Sequence, residues 1–491
     1  MLTIGEIKQL IDNDAASMKK KHAKIGQRYY EADHDIKNYR IFYIDADGKL
    51  QEDKNKSNIK IPHPFFTENV DQVVQYMLSG KEGFVKSDDP ELQAHLDAYF
   101  NDDEDFTSEL YDLLTGCVAK GWDYMYAYKN AEGRTAFQCA DSIGVIEVEA
   151  RFASDKKDHI LYWYIDRIDK DGKTIKRIQD WDAEHTVFYK QTDKGEIRKD
   201  KDQKINPRPH VIYTKDDDEE TQYYDVLGFI PFFRLDNCKK QFSGLKPIKA
   251  LIDDYDLMSC GLSNNIQDTN EALYVVKGFQ GDNLDELMQN IKAKKHIGVD
   301  EDGAIDIKTI DIPYQARQTK LDLDEKNIYR FGFALNTSGL KDTNATTNLA
   351  IKSAYSLLDL KANKLEIRLK QFMRKLLKVV LAEINDLNGT DFQQKDIYFS
   401  FERDIPVNDQ EDAQNKLTDA QRRQTEITTL LNIATQLDNE TLMQLICEQL
   451  DIDYEDIKDK LPDPDEAKTA VADAQAVIDT IPVEPVGGDV I

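Results

Sequence analysis

Basic residues are scarce in this 491-residue chain: 64 Lys and Arg against 92 Asp and Glu leave a formal charge of −28. The shortage argues against tight attachment to nucleic acid, which depends on phosphate neutralisation and counterion release, and it predicts a strongly acidic surface. Long apolar runs are also missing. No stretch approaches the roughly 18 uncharged apolar residues needed to cross a bilayer, so no membrane role is indicated. Cysteine is sparse, and Cys117, Cys139, Cys238, Cys260 and Cys447 form no C-x-x-C pair. The opening Met1-Leu-Thr-Ile-Gly-Glu has no basic stretch ahead of an apolar one. Both features are those expected of a protein kept in a reducing cytoplasm.

Catalytic and metal signatures are absent in the same way. The 8 histidines are scattered at 22, 34, 63, 95, 159, 185, 210 and 296, with no HExxH or other metal spacing, which suggests isolated side chains. Asp171-Gly-Lys-Thr174 matches the end of a phosphate loop, but Arg167 stands where its first glycine is needed, so a hairpin turn is the expectation. The acidic run Asp216 to Glu220 lacks the glycine and spaced carboxylates of a calcium loop and reads as a solvated loop between two strands. Asp141, Glu147 and Glu149 are the nearest approach to a nuclease carboxylate cluster. Glu147 and Glu149 on the outer side of a strand explain the alternation more simply, and the accompanying lysine is missing. The asparagines of Asn336-Thr-Ser338 and Asn344-Ala-Thr346 fit a glycosylation pattern that has no meaning without secretion. No catalytic residue, metal site or cofactor is therefore assigned.

What is present is a clear organisation. Residues 1 to about 110 carry helical spacing, with Ile7, Leu10 and Ile11 on one face and Val70, Val73, Val74, Met77 and Leu78 on another. From about 117 to 235 the pattern changes to short aromatic and β-branched runs: 124–128, 145–148, 160–165, 186–189 and 211–213. Turn signals at Glu132-Gly133, Asp171-Gly172 and Lys194-Gly195 predict antiparallel hairpins. Helix returns with Ile248, Leu251, Ile252, Tyr255, Met258, Leu262 and Ile266. A small mixed insert follows over 272–312, with a strand at 273–276, a helix over 284–294 and strands around Asp302-Gly303. Pro313 is suited to open the next helix, striped by Leu321, Ile328, Phe331 and Leu335.

A polar stretch, 336–348, then interrupts the helical pattern, and unstructured connections of this length are uncommon inside compact domains unless they carry function. Beyond it runs the longest helical pattern, about 349 to 387, striped by Leu358, Leu365, Leu369, Phe372, Leu376, Val380, Ile384 and Leu387. Its other face is basic. Lys361, Lys364, Arg368 and Lys375 recur at helical spacing, and 361–378 hold seven basic residues against one acidic. A solvated face, ion pairs with acidic neighbours and contact with DNA all fit that pattern. Helices at about 409–437 and 439–459 follow, and the acidic tail rich in Pro and Gly from 462 reads as disordered.

Two segments carry a family resemblance. Lys60-Ile-Pro-His-Pro-Phe-Phe-Thr-Glu-Asn-Val-Asp-Gln-Val-Val-Gln-Tyr-Met-Leu-Ser-Gly80 is similar to the N-terminal signature of portal proteins of long-tailed bacteriophages. So is Gly228-Phe-Ile-Pro-Phe-Phe-Arg-Leu-Asp-Asn237 followed by Leu245-Lys-Pro-Ile-Lys-Ala-Leu-Ile-Asp-Asp-Tyr-Asp256. The order of elements agrees to about residue 390. The resemblance implies an α+β, mostly helical portal fold: wing over 1–235, first stem helix in 236–271, clip 272–312, second stem helix 313–335, tunnel loop 336–348, long wing helix 349–390 and helical crown 391–461. It also implies a homo-oligomeric ring, usually a dodecamer, at one capsid vertex of the virion, assembled in the host cytoplasm. Double-stranded DNA would pass along its axis without sequence preference. Partners would be the terminase motor, the major capsid and scaffolding proteins and a head-tail adaptor.

On that plan Thr337, Ser338, Leu340, Lys341 and Asn344 are the expected DNA-facing loop residues, and Lys361, Lys364, Arg368 and Lys375 a candidate basic face of the channel. Two alternatives remain: a metal-dependent nuclease using Asp141, Glu147 and Glu149, and a general coat or scaffold component that forms shells rather than closed rings.

Overall fold

A computed structural model describes residues 2–54, 56–80, 82–130, 133–150, 153–168, 170–192, 194–215, 218–268, 273–277, 304–308, 314–337, 348–404, 409–437, 439–450 and 454. The fold is α+β. Two compact units divide it: Met1–Thr343 with Lys352–Ile405, and Asn344–Ile351 with Pro406–Ile491.

The larger unit opens with α1 (Ile4–Ala16) and α2 (Met18–Tyr30). Thr3 caps α1 through a capping box with Glu6, and Ser17, in extended backbone, ends α1 and caps α2. The region expected to be wholly helical then contains a hairpin, β1 (Phe42–Ile44) with β2 (Leu50–Glu52). Beyond it come α3 (Phe65–Met77), β3 (Val85–Ser87), α4 (Pro90–Leu96) and α5 (Glu104–Lys120). Gly121 ends α5 at φ +104, with the Gln241 carbonyl oxygen 2.4 Å from where a Cβ would sit, so both conformation and space require glycine.

The β-rich stretch is as the aromatic runs predict. β4 (Trp122–Lys129), β5 (Thr135–Ala140), β6 (Val145–Ala150), β7 (Ala153–Ile168), β8 (Thr174–Trp181), β9 (His185–Gln191) and β10 (Ile197–Lys199) follow in order. β10-β9-β8-β7-β6 form an antiparallel sheet, with β11 (Arg208–Pro209) also on β9. Gly133, Gly172 and Gly195 fall in the three connections expected to turn, so the GKT sequence is a hairpin. β12 (Val211–Lys215) pairs with β13 (Asp218–Asp225), which takes in Asp218, Glu219 and Glu220; that part of the acidic run is strand rather than loop. β14 (Phe232–Asp236) joins β4 and β5 in a second sheet.

Next come α6 (Lys249–Asp268), β15 (Leu273–Lys277), β16 (Ala304–Lys308), α7 (Tyr314–Gly332) and α8 (Asn348–Asn388). β15 pairs antiparallel with β16; the expected helix at 284–294 and the Asp302-Gly303 turn lie outside the described residues. At 41 residues α8 is about 60 Å long. Its stripe from Leu358 to Ile384 is buried and forms one cluster with α3, α5 and residues of β4, β5 and β14. Smaller cores set α1 on β6–β9 and Ala23 beside Trp122 and Trp181.

Three stripe assignments need correction. Ile266 and Leu387 are exposed near the ends of their helices, and Phe331 is exposed although its neighbours Ile328, Tyr329 and Gly332 are buried, because it lies on the other side of the helix from them. On α6 the buried line is Ile252, Asp256 and Cys260, continuing Ile248, rather than the apolar stripe alone. Residues 391–404 belong to the larger unit, since β17 (Ile397–Phe399) pairs with β3. In the smaller unit α9 (Asp409–Asn432) and α10 (Asn439–Gln449) are helical as expected, and the tail from 462 lies outside the described residues.

Candidate functional site

The polar stretch begins where α7 ends, and its root is held by three helices. Phe333 takes φ +54, unusual for a bulky residue, and turns the chain out of the helix. Ala334 and Leu335 are then buried. The Gln72 side chain of α3 grips the next peptide groups: its Nε2 donates to the Leu335 carbonyl at 3.0 Å, and the Leu335 N–H donates to its Oε1 at 2.9 Å. One turn earlier on α3, Glu68 accepts from the Tyr329 hydroxyl at 2.6 Å. Asn336 Nδ2 reaches Glu325 at 3.4 Å, and Thr337 is exposed. Ser338, Leu340, Lys341 and Asn344 lie outside the described residues.

α8 contributes Lys361. Its stem is partly exposed, but the ammonium ends against two backbone carbonyls, Gly332 at 3.0 Å and Asn69 at 3.3 Å. Burial lowers its pKa to about 8. A cation there meets the carbonyl end of α7, the negative end of the helix dipole. Gly332 also lets α3 approach, since a Cβ would stand 2.4 Å from Asn69 Nδ2. The Asn69 side chain is itself buried with both amide atoms unpaired.

The basic face is thus divided. Lys361 is turned into the root. Lys364 is exposed with its ammonium 5.4 Å from the Phe333 ring centroid, while Arg368 and Lys375 form no ion pair among the described residues. Farther along, Arg403 binds Asp359 at 2.6 Å and pairs with Glu366, tying the segment after β17 to α8.

A second junction joins the two signature segments. Asp256 of α6 is wholly buried. His34 Nδ1 lies 2.6 Å from its Oδ2, and His63 supplies both Nδ1 at 2.8 Å and its backbone N–H at 2.9 Å to Oδ1. Burial alone would raise this carboxyl's pKa, but the hydrogen bonds from the His34 and His63 rings and the His63 backbone outweigh it and hold it below the ordinary value of 3.8. These histidines are therefore not isolated, as their spacing suggested, and neither is His159, 2.8 Å from Asp180. The signal for Asp256 was present: it stands four residues from both Ile252 and Cys260, on a buried helical line. Nothing in the sequence pointed to Gln72 or Asn69.

The carboxylates of the nuclease reading are not brought together. Asp141 pairs with Lys120 at 2.8 Å. Glu147 is not on the solvent side of its strand; it lies between Lys157 and Arg234, the latter at 2.7 Å. Burial raises its pKa, but Lys157 and Arg234 more than offset that and keep it ionised. Glu149 is exposed. Among the described residues no three His, Cys, Asp or Glu side chains could hold a metal ion, and no helix is long and apolar enough to cross a membrane.

Over residues 8–457 the chain matches the family described as "Phage portal protein, SPP1 Gp6-like". It is 26% identical over 398 residues to the portal protein of Bacillus phage SPP1, covering 79% of this chain and 76% of that one. With the portal protein of Clostridium phage phiCD119 it shares 31% identity over 189 residues, 38% of this chain and 41% of that protein.

Proposed function

The chain belongs to the SPP1 Gp6-like phage portal proteins, and from that membership we propose how its parts serve a DNA conduit. A portal is a structural, non-enzymatic component of the phage head, the passage through which DNA is packaged and ejected. Here residues 1–235 form the wing, α6 and α7 the stem helices, 272–312 the clip, 336–348 the tunnel loop and α8 the long wing helix. The crown begins near 406, because the pairing of β17 with β3 ties the preceding residues to the larger unit. The assembly is a ring of twelve at a capsid vertex, formed in the host cytoplasm. The clip meets the terminase during packaging and the head-tail adaptor afterwards, and the wing meets the major capsid and scaffolding proteins.

The observation that carries this reading is the root of the loop. Gln72, Lys361 and the turn at Phe333 hold the chain up to Leu335, a fixed base from which the tunnel loop would leave the stem. Thr337, Ser338 and Asn344 offer sequence-neutral hydrogen bonds; Leu340 and Lys341 supply the bulk and the positive charge nearest the DNA. A conduit needs weak contacts, because strong phosphate binding stalls its cargo. The net charge of −28 provides that, with Lys364, Arg368 and Lys375 as local exceptions that touch passing phosphates.

The test is electron microscopy of purified rings with counting of rotational symmetry, then packaging with Lys341→Glu and Leu340→Asp. Closed rings with an axial hole and reduced DNA uptake by both variants are expected. Unchanged uptake by both rules out the loop assignment, and open lattices in place of rings rule out the conduit.

A further inference from the structure

Among the described residues nothing covers the β1–β2 hairpin. All six of its strand residues are exposed. The register sets Ile44 opposite Leu50 and Phe42 opposite Glu52, so Phe42, Ile44 and Leu50 share one face at 50%, 71% and 66% exposure. A lone two-stranded hairpin is marginal in water, and three apolar side chains on one open face call for a cover. Its root is nevertheless well fixed. Asn58 Nδ2 donates to the Tyr39 carbonyl at 3.2 Å, and the Ser57 and Ile59 N–H groups donate to Asp268 and Asn264 of α6 at 3.1 and 2.7 Å. The hairpin therefore leaves the stem pair at the end of α6, a position the structure defines closely.

An exposed surface lies on α7, the helix that packs along α6. Lys320 pairs with Asp254, and Arg317 reaches Gly261, so the first turns of α7 lie beside the middle of α6, below the hairpin's root at Asn264 and Asp268. Ala316, Thr319, Leu323, Lys326 and Arg330 follow one another at three- and four-residue spacing, all exposed. The lower part of this line, Ala316, Thr319 and Leu323, is uncharged. Above it Lys326 and Arg330 form no ion pair among the described residues. The hairpin's acidic end is its turn, with Asp45 and Asp47, while Glu52 pairs with Arg40, and Lys54 and Lys56 follow at the root.

We propose that the β1–β2 hairpin is an intersubunit arm that packs its Phe42, Ile44 and Leu50 face on the Ala316–Leu323 line of α7 in a second copy of this chain. This rests on the ring reading and adds to it the contact that closes the ring. Each copy presents two unlike surfaces on the stem pair, an arm and a receiver. Head-to-tail pairing of unlike surfaces generates a ring when the rotation closes. Lys326 and Arg330 then face the acidic turn of the neighbour's hairpin, which orients it and excludes the reversed arrangement.

The experiment uses the full chain. Ile44→Cys with Thr319→Cys, in a chain carrying Cys139→Ala and Cys238→Ala so that the remaining native cysteines are buried, is expected to give with a short bis-maleimide a ladder of cross-linked species up to the full ring. That background chain, and the same chain with only one of the two added cysteines, should give none. Phe42→Ser with Ile44→Ser and Leu50→Ser is expected to lower the ring fraction at least about tenfold and to leave the monomer's melting temperature unchanged, since those side chains are exposed within one chain. Rings at the parental yield in the triple variant, or cross-linking by Ile44→Cys alone, overturns the arm and leaves the ring standing. A parent chain that forms no rings overturns both.

Discussion

Gln72 holds Leu335 by both of its peptide groups, with one side-chain amide donating to the carbonyl and accepting from the N–H. The helix whose apolar stripe packs into the main core thus fixes, from its polar side, the residue at the start of the polar stretch. Gln72→Ala removes both bonds and leaves the Leu335 N–H and C=O without that partner. At about 0.5–1.5 kcal/mol per bond, local protection there should fall by about 1–3 kcal/mol. Amide hydrogen exchange at Leu335 reads this directly, and exchange equal to the parent's contradicts it. Packaging should fall while ring yield is kept.

Lys361 gives a pH signature. Its folded pKa, near 8, lies below the ordinary 10.5 because burial disfavours the charged form. Between those values the unfolded chain binds more protons than the folded one, so stability rises with pH across that window. Urea unfolding at pH 7.5, 9 and 10 should show the parent gaining on Lys361→Met as pH increases. A constant difference between the two chains excludes the buried ammonium.

Asp256 acts in the opposite range. Its folded pKa is depressed below 3.8, so its contribution is fully present above that value and lost as pH falls through the folded one. Asp256→Ala leaves His34 and His63 facing each other without the carboxylate. Breaking such a buried pair costs about 3–5 kcal/mol. The variant should also lose the acid-dependent part of the parent's unfolding between pH 4 and the acid limit. Denaturant midpoints across pH measure both effects.

Gly332→Ala places a methyl group 2.4 Å from Asn69 Nδ2, so the buried Asn69 side chain must shift. Overpacking of this kind costs about 1–3 kcal/mol. Shortening the neighbour, as in Gly332→Ala with Asn69→Ser, should recover most of the loss in thermal melts. No recovery means that the strain arises in the helix itself and not at the contact.

Much of the architecture was legible because it follows from local periodicity. The α8 stripe at three- and four-residue spacing, the aromatic and β-branched runs of β4, β6, β7 and β9 and the glycines at 133, 172 and 195 each specify their element with little help from the rest of the chain. The β1–β2 hairpin escaped because its strands are three residues long with no face buried, so burial imposed no alternation on it. β17 on β3 escaped for a different reason: its partner lies some 310 residues away, as the Tyr398–Asp88 contact spans, and pairing at that distance leaves no local trace.

The loop root shows the same division most sharply. Sequence by itself determined that a polar stretch interrupts two amphipathic helices, that the chain is acidic, and that basic residues recur along α8, since composition and spacing are properties of the chain alone. Tertiary structure alone decided that Lys361 leaves that basic face to meet the Gly332 carbonyl, and that Gln72 and Asn69 stand at the loop's base. The physical reason is that a polar side chain's role depends on which unsatisfied backbone groups it meets. The packing of α3, α7 and α8 brings those groups together.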